Sequence, residues 1–339
     1  LKSSCQNMKI KFDTKSLLLS IITFLIGIPL TLLLLEGTLR LKNMSMNNYE
    51  IEMWRYAKEL KNISQDPILG HEHKPSSVSV LQSVEIRTNR LGLRGPDVVL
   101  DPRKPSILFL GSSITLGWGV PEKETIAAQT ERLLRKDGFD VTVLNAGVGN
   151  YNSQRYVQLF LTKLKELHPT DIVVHFFLRD AEILEPGRGN WLLRNSHLAV
   201  TLWNLYQQNL MAKKGISVEA RYREIYNPSH PGYQQMVASL AQLSDYAKRN
   251  QIRIYLAMTP DVHNLKEYPF GFIHENMAGL SKKLGYQYID LFPSLKGLTP
   301  QQVWSMPGDP HPNSYGHLKM AEALAPTLER EMFNNTKPH

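Results

Sequence analysis

Residues Leu17 to Leu35 read LLLSIITFLIGIPLTLLLL, nineteen positions without a charge. Coiled as a helix they span roughly 28 Å, close to the hydrocarbon thickness of a bilayer. Gly27 and Pro29 are compatible with a spanning helix. Lys2, Lys9, Lys11 and Lys15 precede the run, which favours an N-terminus retained in the cytoplasm. A cleaved signal would have a shorter apolar core and a small-residue cleavage site, and Glu36-Gly37-Thr38-Leu39-Arg40 follows instead. The expected organisation is a cytoplasmic tail at 1–15, a transmembrane anchor at 16–36, and the remainder outside the cytoplasm. A cleaved signal and a buried core helix are the alternatives.

The 339 residues have a formal net charge of +8, with part of the excess crowded before the apolar run. The chain has neither zinc-finger spacing nor a basic helix carrying base-reading residues, so the charge does not point to nucleic acid. Cys5 is the only cysteine, which excludes an internal disulfide and a cysteine metal cluster. No metal ligand set or cofactor motif is evident.

Residues 37–104 are mixed and polar, with a helical stretch at Tyr49 to Lys61. Turn signals follow at Asn89-Arg90-Leu91-Gly92 and Arg94-Gly95-Pro96, which read as a linker and a small strand-rich cap. From Ser106 onward the rhythm is regular. SILFLG (106–111), VTVLNAG (141–147), DIVVHFFL (171–178), IRIYLAMTP (252–260) and YQYIDLF (286–292) are short apolar runs separated by helical segments, one of them Ser153 to Leu167. Such alternation predicts a five-stranded parallel sheet between two helical layers, a flavodoxin-like αβα domain over 105–335. An insertion breaks the rhythm at about 187–230. Ligands of open α/β sheets bind beyond the strands' carboxyl ends.

Two clusters at that edge carry chemistry. Ser113 follows the first strand after Gly111, where a glycine permits a tight turn and an exposed serine stands at a helix start. Asp309 and His311 lie two apart in a Pro-rich loop just before the last helix. A serine hydroxyl needs a base to take its proton, and an imidazole needs an acceptor to fix its tautomer. Each cluster alone also reads as a helix cap or turn. Trp118, Trp191 and Trp203 are candidates for packing or for stacking on substrate. His263 reads as a loop residue near the cleft and His317 as part of a helix start.

Taken together the clusters resemble the SGNH/GDSL hydrolase superfamily over about residues 104–333. That family's first block reads G-D-S, its second carries a glycine, its third reads G-x-N-D, and its fifth reads D-x-x-H or D-x-H. The corresponding residues here are Gly111-Ser112-Ser113, Asn145-Ala146-Gly147-Val148-Gly149-Asn150-Tyr151-Asn152, Phe177-Leu178-Arg179-Asp180 and Asp309-Pro310-His311. The resemblance implies Ser113 as nucleophile, His311 as general base and Asp309 as its orienting acid. It implies an oxyanion hole from the N–H groups of Ser113 and Gly147. Ser112 stands where the family has Asp. Arg179 stands where it has the Asn that completes the hole, so Arg179, Asn150 or Asn152 is the candidate third donor. Arg179 otherwise meets an acidic substrate group or pairs with Asp180 or another acid. The implied activity is ester hydrolysis on an acylated glycan or lipid-like ester. O-acyl (acetyl) transfer to a cell-surface polysaccharide and non-catalytic glycan binding are the alternatives.

Overall fold

A computed structural model describes residues 14–185, 190–213, 215 and 217–335. The expected cytoplasmic tail lies, up to residue 13, outside the described residues. So does the 186–189 stretch at the start of the expected insertion. The chain divides into two compact units, residues 1–45 with 189–209 and residues 46–188 with 210–339.

In the first unit the apolar run forms part of one 30-residue helix, Thr14–Asn43, with Pro29 inside it. It is long and apolar enough to cross a membrane, and its apolar window is 0% buried. The Thr23 and Thr31 hydroxyls donate to the Leu19 and Gly27 carbonyls one turn back, each at 2.8 Å. The inserted segment contributes the helices Trp191–Asn195 and His197–Lys213.

In the second unit five parallel strands, Ser106–Gly111, Thr142–Gly147, Asp171–Phe176, Arg253–Met258 and Gln287–Asp290, form one sheet. Numbered by sequence, their spatial order is 2-1-3-4-5. The first and third strands are buried along their whole length, as a sheet covered on both faces requires. One helical layer includes Ser153–Leu159, Pro231–Asn250 and Gly271–Leu284, whose apolar faces meet Leu108, Leu110, Ile172 and Val174. The other includes Ile126–Lys136 and Ser314–Asn335, packed with Ile107, Phe109, Val173 and Tyr255. The fold is therefore the three-layer αβα arrangement that the alternating pattern predicts. The order reverses at the first strand, so the crevice at this switch point lies beside the Ser113 turn.

The region 46–104 contains the helix Tyr49–Leu60 and two antiparallel hairpins, Lys61–Ile63 with His71–His73 and Val78–Leu81 with Val84–Arg87. Three expectations need correction. The helix expected over Ser153 to Leu167 ends at Leu159 and continues as a π turn and a 3-10 turn. Asp309 and His311 were expected in a loop, but Asp309–Pro312 pairs antiparallel with Trp304–Met306. Gly308, at φ +81°, makes the connecting turn. Gly111 was expected to relax a tight turn. It is required instead by close packing, because an added Cβ would sit 2.0 Å from Thr115 Oγ1 and 2.8 Å from the His175 carbonyl oxygen.

Candidate active site

Ser113 opens a four-residue helix, Ser113–Leu116, which Gly117 ends at φ +77°. Its Oγ lies 2.8 Å from His311 Nε2. His311 Nδ1 lies 2.6 Å from Asp309 Oδ1, and the His311 backbone N–H donates to the same oxygen at 3.1 Å. Serine, imidazole and carboxylate thus form one relay across 198 residues of sequence separation. Asp309 is completely buried and His311 nearly so.

A buried carboxylate needs its remaining lone pairs satisfied. Gln82 Nε2 donates to Asp309 Oδ2 at 2.6 Å and Trp118 Nε1 donates to the same oxygen at 3.1 Å. Burial works to raise the Asp309 pKa. The hydrogen bonds from His311 and Gln82, with attraction to the imidazole, outweigh it and hold the group below the usual carboxylate range. Asp309 is therefore an ionised acceptor, fixing the tautomer in which Nδ1 carries the proton and Nε2 faces the serine.

Gln82 was not singled out from the sequence. It sits with Ser83 at the tip of the second hairpin, both at positive φ (+50° and +61°), and its backbone N–H is held by Glu52 at 2.7 Å. Trp118 was expected as packing. It is fully buried and also bonds Asp309.

The oxyanion candidates separate. Gly147 donates its N–H to Asn145 Oδ1 at 2.9 Å, and an added Cβ there would meet Leu116 N at 2.1 Å. This glycine lets the second strand approach the helix Ser113–Leu116, and its amide is engaged by Asn145. The Asn152 side chain caps the helix Ser153–Leu159 and donates to the Glu182 carbonyl at 2.8 Å, so its amide is also engaged. Asn150 lines the cleft in the left-handed conformation, φ +62°. Among the described residues neither its N–H nor that of Ser113 has a hydrogen-bond partner. Gly149, just before it, is gripped at both ends. Its N–H donates to Tyr56 Oη at 2.9 Å, and its carbonyl accepts from Lys61 Nζ at 2.6 Å and lies 3.0 Å from His71 Nε2.

Arg179 lines the same cleft with its side chain 55% exposed and pairs with Glu182 at 3.2 Å. Asp180 points away into the core, where the Tyr156 hydroxyl (3.1 Å) and the Phe177 N–H (3.2 Å) donate to it. Burial pushes the Asp180 carboxyl up to about 8 despite these bonds.

The cleft is a cavity of about 490 Å³, within the range of small-molecule sites. Ser113 and His311 open onto it, and Ile114, Phe177, Leu178, Val218, Tyr222 and Phe270 make much of its wall apolar. His263 also lines it, held by Asp261 at 2.9 Å, a bond that raises the imidazole pKa. His317 is structural: it is buried and accepts the Ile126 N–H at 3.0 Å.

No family model matches the chain, and no curated protein does. Among solved structures it is similar to TesA, at 15% identity over 66% of this chain and 98% of that one, with a TM-score of 0.45. It is similar to the esterase EstA from Pseudoalteromonas, at 12% identity over 68% of this chain and 100% of that one, TM-score 0.43. A third likeness is to a variant of an acetylxylan esterase from Geobacillus stearothermophilus, at 16% identity over 65% and 92%, TM-score 0.42.

No group of three or more His, Cys, Asp or Glu side chains suited to a metal ion occurs among the described residues.

Proposed function

We propose that this chain is a membrane-anchored serine ester hydrolase of the SGNH type, acting outside the cytoplasm on an acylated glycan or a lipid-like ester. The observation that carries the reading is the relay Ser113 Oγ, His311 Nε2 and Nδ1, Asp309 Oδ1, with separations of 2.8 and 2.6 Å. Ser113 Oγ attacks the ester carbonyl carbon while His311 Nε2 takes the hydroxyl proton. The carbonyl oxygen becomes an oxyanion, which the unpartnered N–H groups of Ser113 and Asn150 stabilise. His311 then returns the proton to the departing alcohol oxygen, leaving an acyl-serine. Water, deprotonated by His311, attacks that acyl carbon, and the carboxylic acid leaves as Ser113 regains its proton. Asp309 stays ionised throughout and stabilises the imidazolium.

The cavity supports an ester with an apolar portion, since its walls are largely aliphatic and aromatic. Arg179 at the wall supports a polar or anionic group elsewhere on the substrate. Reaction with a fluorophosphonate probe tests the nucleophile. The wild-type chain becomes labelled and Ser113→Ala does not; equal labelling of both would overturn the assignment. Turnover of an acetyl ester with and without an oligosaccharide then distinguishes free acetate from acetyl transferred to sugar. Protease accessibility of the catalytic unit in intact cells against inverted vesicles tests its side of the membrane.

A further inference from the structure

In the first unit the inserted segment is fastened to the end of the apolar helix. Glu36, the first charge after the Leu17–Leu35 run, accepts the backbone N–H groups of His197 (3.0 Å) and Leu198 (2.8 Å) and the Ser196 hydroxyl (2.8 Å). Arg40 bonds Glu36 at 2.7 Å and the Asn195 carbonyl at 2.8 Å, and Asn43 Nδ2 lies 3.1 Å from His197 Nδ1. The helix His197–Lys213 is thus capped by the anchor's own side chains, at the level where charge first appears. Because the apolar window of the anchor is 0% buried, this second helix leaves the anchor and does not run along it.

The second helix is dressed for a boundary between oil and water. Leu198, Leu202, Leu205, Tyr206 and Leu210 recur at i, i+4, i+7, i+8 and i+12, which places them on one stripe. Leu202 is 57% and Tyr206 55% exposed; Trp203 and Trp191 are also exposed, Trp191 at 76%. Between Glu185 and Glu219 the sequence holds Arg188, Arg194, Lys213 and Lys214 and no acidic residue. An apolar stripe with tryptophans and a tyrosine, in a segment whose sequence is basic and holds no acidic residue, matches the interfacial zone of an anionic bilayer.

We propose that residues 190–213 are a second membrane contact, an interfacial helix seated among anionic phospholipid headgroups beside the anchor. The inference rests on the anchor reading, and one experiment separates the two. The full chain is reconstituted into vesicles of phosphatidylcholine and phosphatidylglycerol, with or without brominated acyl chains. Flotation reports the anchor. Bromine quenching of tryptophan reports the second helix, because the anchor holds no tryptophan and the others are Trp54, Trp118 and Trp304. The expected result is a floating chain whose emission bromolipid quenches, with most of that quenching lost in the W191F/W203F double variant. These conservative changes lie outside the catalytic residues, so retained ester hydrolysis verifies the fold. A chain that floats but is quenched equally in both forms overturns the second contact while leaving the anchor intact. Self-crosslinking through this helix in the absence of quenching also overturns it, in favour of a second copy as occupant. Failure to float removes the anchor and the second contact together.

Discussion

The candidate catalytic cleft has a side-chain half and a backbone half. In the proposed relay Ser113, His311 and Asp309 act through side chains, and Asp309 is held by two more, Gln82 and Trp118. For the proposed oxyanion, the N–H groups left without a partner are those of Ser113 and Asn150. Two residues whose types suggested oxyanion donors, Gly147 and Asn152, have their amides engaged elsewhere. The lesson is that side-chain chemistry is written in residue identity, whereas every residue but proline carries the same amide. Which amide is left free depends on how neighbouring segments satisfy the others. Here Tyr56, Lys61 and His71 hold Gly149 at both ends, and the N–H of Asn150 after it is left without a partner.

The largest test of this comparison falls on the side-chain half. Asp309→Asn keeps the shape but removes the charge and favours the wrong tautomer, so kcat should fall on the order of 10⁴-fold. Steady-state kinetics on an activated ester checks this, and a loss below about tenfold would detach Asp309 from the relay. Next is Gln82→Ala. It removes a hydrogen bond to a buried charge, an interaction of about 1.5–3 kcal/mol, and should lower kcat by roughly 10- to 150-fold. KM should hold, since Gln82 acts through Asp309 and touches no substrate; a change confined to KM would argue against that role.

The backbone half is sharpened by a change expected to do little. Asn150→Gly retains the N–H and suits φ +62°, so kcat should stay within about threefold of wild type. Were the Asn150 side chain the donor, the loss would be about 10²–10³-fold. A separate test concerns stability and leaves the comparison of the two halves untouched. Between the unfolded value of about 3.9 and the folded value of about 8, native Asp180 keeps a proton that the unfolded chain has released. Rising pH over that window therefore favours unfolding, with the change complete above the folded value. Asp180→Asn should flatten this slope in detergent-solubilised thermal unfolding measured from pH 5 to pH 8.

Much of the domain was legible because burial on both faces leaves a plain trace. Runs such as SILFLG and DIVVHF are mostly apolar and buried along their length, and helices separate them. The ladder Trp304–Met306 with Asp309–Pro312 was not legible, because it is short, polar and contains proline. The break after Leu159 was hidden as well, since a π turn preserves helical spacing closely enough to read as one helix. Gln82 gave no signal, because a glutamine at a hairpin tip is ordinarily a solvated residue.

Composition and order alone determined the apolar helix, the alternating architecture and the residue types able to form a nucleophile, a base and an acid. These depend on hydrophobic patterning and functional-group identity, which are local properties of the chain. Tertiary structure decided that a hairpin tip would reach the buried carboxylate of Asp309, that Gly147 would serve packing, and that Asn150 would present a free amide. Those outcomes depend on which partners come within about 3 Å of each polar group, and such proximities exist only once distant segments have packed.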